Sequence, residues 1–202
     1  MAEAIAGALI RTGFCPPTRI MASDVSPDRR EYLQRTYGAH TVPDNKDVFL
    51  GVDVVILAVK PQIMDSVLLP LSDIILEHNT PDLRKLIISV PAGISIQKME
   101  SRLYSRIGPE AAARLPIVRV MPNTPALVMA GMSGISFNRH VTPEDKSMAM
   151  AIMGVTGSVL EFAEKDLNAV TAVSGSGPAY VFYLVEAMVE AESLGHQIAR
   201  RK

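Results

Sequence analysis

Two segments of the sequence combine residue types that let a protein backbone approach a bound small molecule. One reads Val-Met-Pro-Asn-Thr-Pro over residues 120–125, and the other reads Val-Ser-Gly-Ser-Gly-Pro-Ala-Tyr over residues 173–180. Glycine and serine bring main-chain N–H groups close to a ligand, and proline fixes the segment in advance. Either segment alone is also typical of a helix start or a tight turn. Together they predict a preorganised binding surface.

The residue types that usually carry catalysis form no recognisable set. The four histidines are scattered without metal-ligand spacing, and we interpret them as structural or exposed: His40, His78, His140 and His196. Cys15, just before two prolines, is interpreted as a small packing residue. A single cysteine cannot form an internal disulfide, which favours a reducing compartment. We therefore expect no metal and no nucleophilic side chain.

The composition is that of a folded domain with a real core. Of 202 residues, 48% are hydrophobic and 20% are charged, and the formal net charge is −1. No basic stripe indicates a nucleic-acid partner. The longest apolar run, residues 54–59, is too short to span a bilayer. No targeting pattern opens the sequence, so we expect a cytoplasmic protein with no membrane partner.

Apolar runs alternate with helical patterns along most of the chain. We predict strands at 18–22, 40–42, 53–59, 86–90, 117–120 and 157–162, and helices at 1–12, 26–38, 45–50, 95–104 and 143–153, with one more around Val67. Residues 53–59 are typical of a central parallel strand that is covered on both faces. The alternation predicts right-handed crossovers and a doubly wound parallel sheet.

Two later helices have unusual compositions. The helix at 143–153 is rich in methionine, which we interpret as core packing because thioethers fill irregular gaps. The predicted helix from Pro178 to Leu194 is apolar around much of its circumference, which requires other helices to cover it. The sequence after Leu194 offers no such helix, so we expect a partner surface there.

In this order and spacing, the two segments at 120–125 and 173–180 resemble the pyrroline-5-carboxylate reductases, which make proline. Residues 58–61 (Ala-Val-Lys-Pro) and 89–93 (Ser-Val-Pro-Ala-Gly) match two further loops of that family. The opening Met-Ala-Glu-Ala matches a family helix that follows a strand and a G-x-G-x-M loop, whereas this sequence contains no G-x-G-x-x-G. The resemblance implies an α/β fold: a Rossmann-like doubly wound parallel sheet lacking its first strand over residues 1–164, then the start of an all-α dimerisation domain over residues 165–202.

The resemblance also implies a site for NADPH or NADH. The implied cofactor-binding residues are Met1, Asp24, Ser26, Asn45, Ala58, Val59, Lys60, Pro61, Ala92 and Asn123. Asp24 would accept a hydrogen bond from a free ribose 2′-hydroxyl, whereas Ser26 with Arg29 or Arg30 would hold a 2′-phosphate. The sequence contains residues suited to either cofactor, and the choice between NADPH and NADH stays open. Asn45 alone would also be typical of a helix cap.

The implied reaction is hydride transfer from NAD(P)H to 1-pyrroline-5-carboxylate, which gives L-proline. The cofactor carries this chemistry, so the protein mainly supplies geometry and excludes water. The catalytic candidates are Asn123, Glu164 and Ser176, and Glu164 alone would also fit a solvated turn. Family members form homodimers or higher oligomers, and they hold the substrate carboxylate with a later Ser-Pro-Gly-Gly-Thr-Thr loop that this sequence lacks.

We therefore expect this chain to be incomplete at both ends relative to the family pattern and to be inactive alone. Two alternatives remain. One is a non-catalytic fragment that pairs with full-length subunits through the apolar helix. The other is a different nicotinamide-dependent dehydrogenase that acts on another imine or a 2-hydroxy acid.

Overall fold

The computed structural model describes residues 1–78 and 83–199, with side chains described as far as residue 192. Nine α-helices and seven strands are described within these ranges. The helices are α1 (Ala2–Arg11), α2 (Pro27–Tyr37), α3 (Asn45–Gly51), α4 (Met64–Glu77), α5 (Ile96–Leu103), α6 (Pro109–Ala113), α7 (Pro143–Gly154), α8 (Leu167–Val170) and α9 (Gly177–Ala199). The strands are β1 (Met21–Ser23), β2 (His40–Val42), β3 (Val54–Leu57), β4 (Leu86–Ser89), β5 (Ile117–Met121), β6 (Gly131–Phe137) and β7 (Gly157–Glu161).

The strands form a five-stranded sheet in the order β3-β4-β5-β6-β7 and a separate pair, β1-β2. All pairings are parallel except β5 with β6. The doubly wound order places a strand between the positions of β1 and β3, and the described residues supply none there. The predicted parallel α/β fold is thus confirmed.

Helices cover both faces of the larger sheet. On one face α3, α4 and α5 pack against β3–β5 through Phe49, Leu68, Met99, Ile87 and Ile117. On the other face α1 and α7 pack through Ile5, Met153, Ile88, Val118 and Ile135. Neighbouring residues of one strand enter opposite cores because strand side chains alternate between faces. The result is the three-layer arrangement that positions loops at the strand ends.

Two of the predicted helices begin with a serine side-chain cap. Ser26 accepts a hydrogen bond from the backbone N–H of Arg29, and Ser95 accepts one from Lys98. Asn45 does not cap α3: Asp44 is the capping residue and accepts from the backbone N–H of Lys46. Asn45 is therefore left available for a different contact.

Other sequence predictions need correction. The strand expected at 18–22 is a 3₁₀ turn over Pro17–Arg19 followed by β1. The strand after Asp53 is not central in the described chain, because β3 forms one edge of the five-stranded sheet and alternates between buried and half-buried residues. β6 and α6 were not predicted at all. Core packing holds for the fully buried Met153, whereas Met148 is exposed.

Candidate functional site

The carboxyl ends of β3, β4 and β5 lie side by side, because these strands are consecutive and parallel. This brings three predicted loops to one edge of the sheet: residues 58–61, 89–93 and 121–123. Open α/β sheets bind their ligands at this edge. The structure therefore gathers Ala58, Val59, Lys60, Pro61, Ala92 and Asn123 along one row of strand ends.

The middle of this row is open to solvent. Lys60 and Ala92 are exposed, and the Lys60 ammonium forms no ion pair with any residue that the structure describes. Gly93 has a positive φ of 75°, and no heavy atom lies within 4 Å of the place where its Cβ would stand. A larger residue would be strained at this φ, and the loop has room for a ligand.

A polar cluster lies at the end of β1. The Ser23 hydroxyl donates to Asn45 Oδ1 at 2.6 Å, and Asp24 Oδ1 accepts from the backbone N–H of Ser26 at 2.9 Å. This cluster contains Asp24 and Ser26, which were predicted to read the ribose, and Asn45, which was predicted as a further cofactor-binding residue. Ser23 is a further member that sequence reasoning did not single out, although its place as the last residue of a strand was a usable signal.

Glu3, which was also missed, joins α1 to α2. Its carboxylate accepts from Arg29 Nη2 at 2.5 Å and from the hydroxyls of Tyr32 and Tyr37 at 2.8 Å each. The Arg29 guanidinium and the two hydroxyls lower the pKa of Glu3 from 4.5 to about 2. Burial, together with the same carboxylate, raises the pKa of Tyr37 to about 12. Glu3 is therefore an anion at physiological pH, and it fixes one of the two arginines considered for a 2′-phosphate.

Asn123 connects the two segments with which the sequence analysis began. Its Nδ2 donates to Ser174 Oγ at 3.2 Å, and its Oδ1 accepts from the backbone N–H of Met132 at 2.9 Å. A Cβ on Gly175 would come within 3.0 Å of Met121 Cε. The segments at 120–125 and 173–180 therefore touch directly, through an amide–hydroxyl bond and through close backbone approach.

The second segment is helical rather than an open loop. Thr171–Gly175 form a π-turn in which the backbone N–H of Ser176 donates to Thr171 O at 2.9 Å, and α9 then begins at Gly177. Such turns occur often at functional sites. Ser176 is half-buried beside the start of α9, and its hydroxyl bonds no described residue. Of the simpler alternatives for this segment, the helix start is the correct one.

Glu164 lies in a different environment from the other candidates. Its Oε1 accepts from Arg119 Nη1 at 3.1 Å and from the backbone N–H of Ile96, the first residue of α5, at 2.6 Å. The Arg119 side chain is 7% exposed and that of Glu164 is 31% exposed. The alternative of a solvated turn carboxylate is therefore wrong. Glu164 forms no hydrogen bond with the other predicted site residues in the described part of the chain.

A cavity of about 560 Å³ opens beside α5, β6 and β7. Its lining includes Glu100, Ser136, Arg139 and Glu161, and Glu164 is its one member among the predicted site residues. The predicted cofactor-binding residues lie elsewhere. We therefore place the candidate site at the strand ends, where the motif residues converge, and not in this cavity.

The remaining candidates have local roles. Met1 precedes α1 without a side-chain capping bond. His40 and His78 are exposed, the half-buried His140 ring packs edge-on against Tyr104, and the side chain of His196 falls beyond those described. Within residues 1–78 and 83–199, no cluster of His, Cys, Asp or Glu has an arrangement suited to a metal ion. Over the same ranges, no helix is both long and apolar enough to cross a bilayer.

The apolar helix expected after Pro178 is exposed along its described length. Eight large apolar side chains between Tyr180 and Val189 are 52–75% exposed: Tyr180, Val181, Phe182, Tyr183, Leu184, Val185, Met188 and Val189. A patch of this extent marks a partner surface or an aggregation liability. The side-chain arrangement thus supports the sequence-based prediction of an uncovered helix.

Comparisons with known proteins connect this geometry to a family. Residues 1–93 match the family model described as NADP oxidoreductase, coenzyme F420-dependent, and residues 164–197 match the model of pyrroline-5-carboxylate reductase dimerisation. The chain is similar to the pyrroline-5-carboxylate reductase of Synechocystis, with 41% identity over 190 residues, covering 94% of this chain and 65% of that protein.

Two solved structures are similar as well. The pyrroline-5-carboxylate reductase from Coxiella burnetii has 37% identity and a TM-score of 0.81, covering 96% of this chain and 67% of that one. The Plasmodium falciparum pyrroline carboxylate reductase, solved with NADP bound, has 28% identity and a TM-score of 0.78, covering 96% and 65%. This chain therefore spans about two thirds of the length of these relatives.

Proposed function

Because this chain belongs to the pyrroline-5-carboxylate reductase family, we propose that it supplies the cofactor-binding part of an enzyme that reduces 1-pyrroline-5-carboxylate to L-proline with NADPH or NADH. The observation that carries the proposal is the bond between Asn123 and Ser174. It places the polar group of one motif against the other at the carboxyl edge of the sheet.

The cofactor fits the donor set of this edge. Asp24 and Ser26 would hold the adenosine ribose, Asn45 would contact the adenosine, and residues 58–61 with Ala92 would lie along the nucleotide. The open space at Gly93 supports this assignment, since nothing in the protein fills it. When bound, the reduced nicotinamide supplies a hydride. The protein residues would exclude water and orient the reacting groups, which is the larger part of catalysis for an already electrophilic imine carbon.

Asn123 is proposed to orient the groups nearest the reacting carbon. Its carboxamide is fixed at both ends, by Met132 N–H and by Ser174 Oγ, so its position costs little reorganisation when substrate arrives. Ser176, at the start of α9, is proposed to face the same region. Glu164 is retained as a candidate only for positioning α5 and Arg119, since both of its described contacts are with protein groups.

We propose a division near Glu164, with a dinucleotide-binding part over residues 1–164 and the beginning of a dimerisation part over residues 165–202. The exposed apolar residues of α9 support a homodimer or a higher oligomer. The single cysteine favours a cytoplasmic location. For the 202-residue polypeptide tested alone we expect little turnover, because its sequence contains no G-x-G-x-x-G turn to hold the pyrophosphate.

The proposal can be tested in a chimera that carries residues 1–199 of this chain in place of the matching segment of the Coxiella burnetii protein. We expect consumption of NADPH or NADH with 1-pyrroline-5-carboxylate and the appearance of L-proline, measured by chromatography. Asn123→Ala should lower kcat/KM at least about tenfold, whereas the exposed Asn168→Ala should not. A folded chimera that forms no proline, while the parent enzyme does, would overturn the proposal.

A second candidate function is a non-catalytic subunit that pairs with complete enzymes, and the uncovered apolar side chains of α9 favour it specifically. Mixing the purified chain with an intact family member distinguishes the two. A non-catalytic partner should lower the activity of the intact enzyme in proportion to the amount added. The Val181→Glu/Leu184→Glu variant should lose this effect.

A further inference from the structure

The Glu3–Arg29 pair lies at the boundary of the proposed adenosine site. Glu3 is in the first turn of α1, and Arg29 is in the first turn of α2, directly after the loop that contains Asp24 and Ser26. The Arg29 guanidinium bonds Glu3 at 2.5 Å and lies 4.8 Å from the centre of the Tyr32 ring. The ion pair with Glu3 therefore holds Arg29 toward α1, and the cation–π contact with Tyr32 of α2 further restricts the guanidinium.

The second arginine of this loop is also engaged with the protein. Arg30 Nη1 donates to the backbone carbonyl of Asp24 at 2.7 Å and to that of Val25 at 3.3 Å. These contacts fix Arg30 on the backbone of the loop. The Asp24 carboxylate is then the charged group best placed to contact a ribose, and its negative charge repels phosphate.

We propose that Glu3 determines cofactor preference: by holding Arg29 against α1, it leaves Asp24 to accept a hydrogen bond from the ribose 2′-hydroxyl. The chain thereby favours the dinucleotide without a 2′-phosphate. This inference rests on the proposed cofactor site and adds a residue that the cofactor need not touch. Glu3 acts through Arg29 and is a positioning residue.

The physical basis is competition for one guanidinium. Phosphate recognition relies on arginine because its planar fork matches two phosphate oxygens. Arg29 begins beside the loop, since its backbone N–H bonds Ser26 Oγ, and rotation of its side chain would bring the guanidinium over the ribose. That rotation requires the loss of the Glu3 ion pair. Neutralising Glu3 should therefore release Arg29 toward a 2′-phosphate.

The test uses binding of two nucleotides that differ only in the position of the phosphate, adenosine 2′-monophosphate and adenosine 5′-monophosphate. Both are titrated into the 202-residue chain and followed by NMR. We expect the wild type to bind the 5′ isomer at least as tightly as the 2′ isomer. Glu3→Gln should shift the affinity ratio toward the 2′ isomer by about tenfold, the value of one charge-assisted contact.

Three variants isolate the cause. Glu31→Gln makes the same change of charge on α2 but removes only an exposed pair with Arg35, and it should leave the ratio unchanged. Glu3→Gln combined with Arg29→Leu should lose the shift. Arg29→Leu alone, which remains informative if Glu3→Gln folds poorly, should leave the wild-type ratio unchanged.

The inference is overturned by a wild-type preference for the 2′ isomer, by equal tightening of both isomers in Glu3→Gln, or by failure of either isomer to bind. It is also overturned if Arg29→Leu selectively weakens the 2′ isomer. These outcomes concern nucleotide binding alone, so they are separate from proline formation in the chimera. A chimera that makes proline yet prefers NADPH would contradict this inference and leave the proposed function intact.

Discussion

Replacing Glu164 distinguishes a structural carboxylate from a catalytic one. The variants Glu164→Gln and Glu164→Ala both remove the negative charge that faces Arg119, and only Gln keeps an acceptor for the Ile96 N–H. In the structure the Arg119 side chain is 7% exposed and Glu164 is 31% exposed. Loss of the carboxylate therefore leaves a buried guanidinium without the acidic partner that it has now.

The expected magnitude follows from these exposures. Removing one partner of a fully buried ion pair costs about 3–5 kcal/mol, and we reduce this to about 2–3 kcal/mol for Glu164→Gln because solvent reaches Glu164. Glu164→Ala should cost about 1 kcal/mol more, since the 2.6 Å bond from Ile96 N–H is also lost. Combining Glu164→Gln with Arg119→Leu should cost less than the sum of the two single changes.

The assay is urea unfolding followed by circular dichroism at one protein concentration, because self-association changes apparent stability. Glu161→Gln is the matched control: it removes a carboxylate paired with Lys146, but both side chains are more than 40% exposed. Its cost should not exceed about 1 kcal/mol. The reasoning is refuted if Glu164→Gln is as stable as the wild type. Loss of chimera activity with unchanged stability would instead identify Glu164 as catalytic.

Three further measurements test other parts of the structure. In sedimentation, the wild type should associate at micromolar concentration because α9 exposes large apolar side chains. Val181→Glu/Leu184→Glu should shift the protein toward monomer, whereas the control Leu69→Glu on α4 should not. A monomeric wild type would contradict the exposure of α9. Because the pKa of Glu3 is lowered from 4.5 to about 2, its contribution to the free energy of unfolding is present above pH 4.5 and is lost as the pH falls toward 2. We expect this contribution to be about 1–2 kcal/mol, since Arg29 is 40% exposed. The Glu3→Gln variant should lack it. Met129 has a φ of 59°, so Met129→Gly should raise the free energy of unfolding by about 0.5–1 kcal/mol. Met148→Gly within α7 should instead lower it by about 1 kcal/mol. Equal changes in the two variants would contradict the strain at Met129.

Sequence patterns predicted the parts of the fold that depend on neighbouring residues. Ser26 and Ser95 cap helices because their hydroxyls reach N–H groups three residues later. β4 was recognisable because residues 86–88 form a short apolar run, and in the structure all four residues of the strand are buried. β6 was missed because two glycines and two serines interrupt its apolar alternation, and its pairing with β5 supplies the order that its own propensity lacks.

The candidate site was only partly predictable for a related reason. The motif loops could be assigned to strand ends, and the row formed by β3, β4 and β5 follows from their parallel pairing. The contacts that fix the side chains join residues far apart in the sequence, as Asn123 joins Ser174 and Glu3 joins Tyr37. No local periodicity encodes such contacts, since they depend on how whole helices pack.

The π-turn before α9 makes the direction of that helix depend on a count of residues. Thr171–Gly175 contain one residue more than a regular α-helical turn would need between the same hydrogen-bonding groups. Each residue of an α-helix turns the chain by about 100° and advances it by about 1.5 Å. Without the extra residue, α9 would be rotated by about a quarter of a circle, and Glu186 and Glu190 would exchange sectors with apolar neighbours. The direction in which the exposed apolar side chains of α9 point is thus set by a single inserted peptide unit.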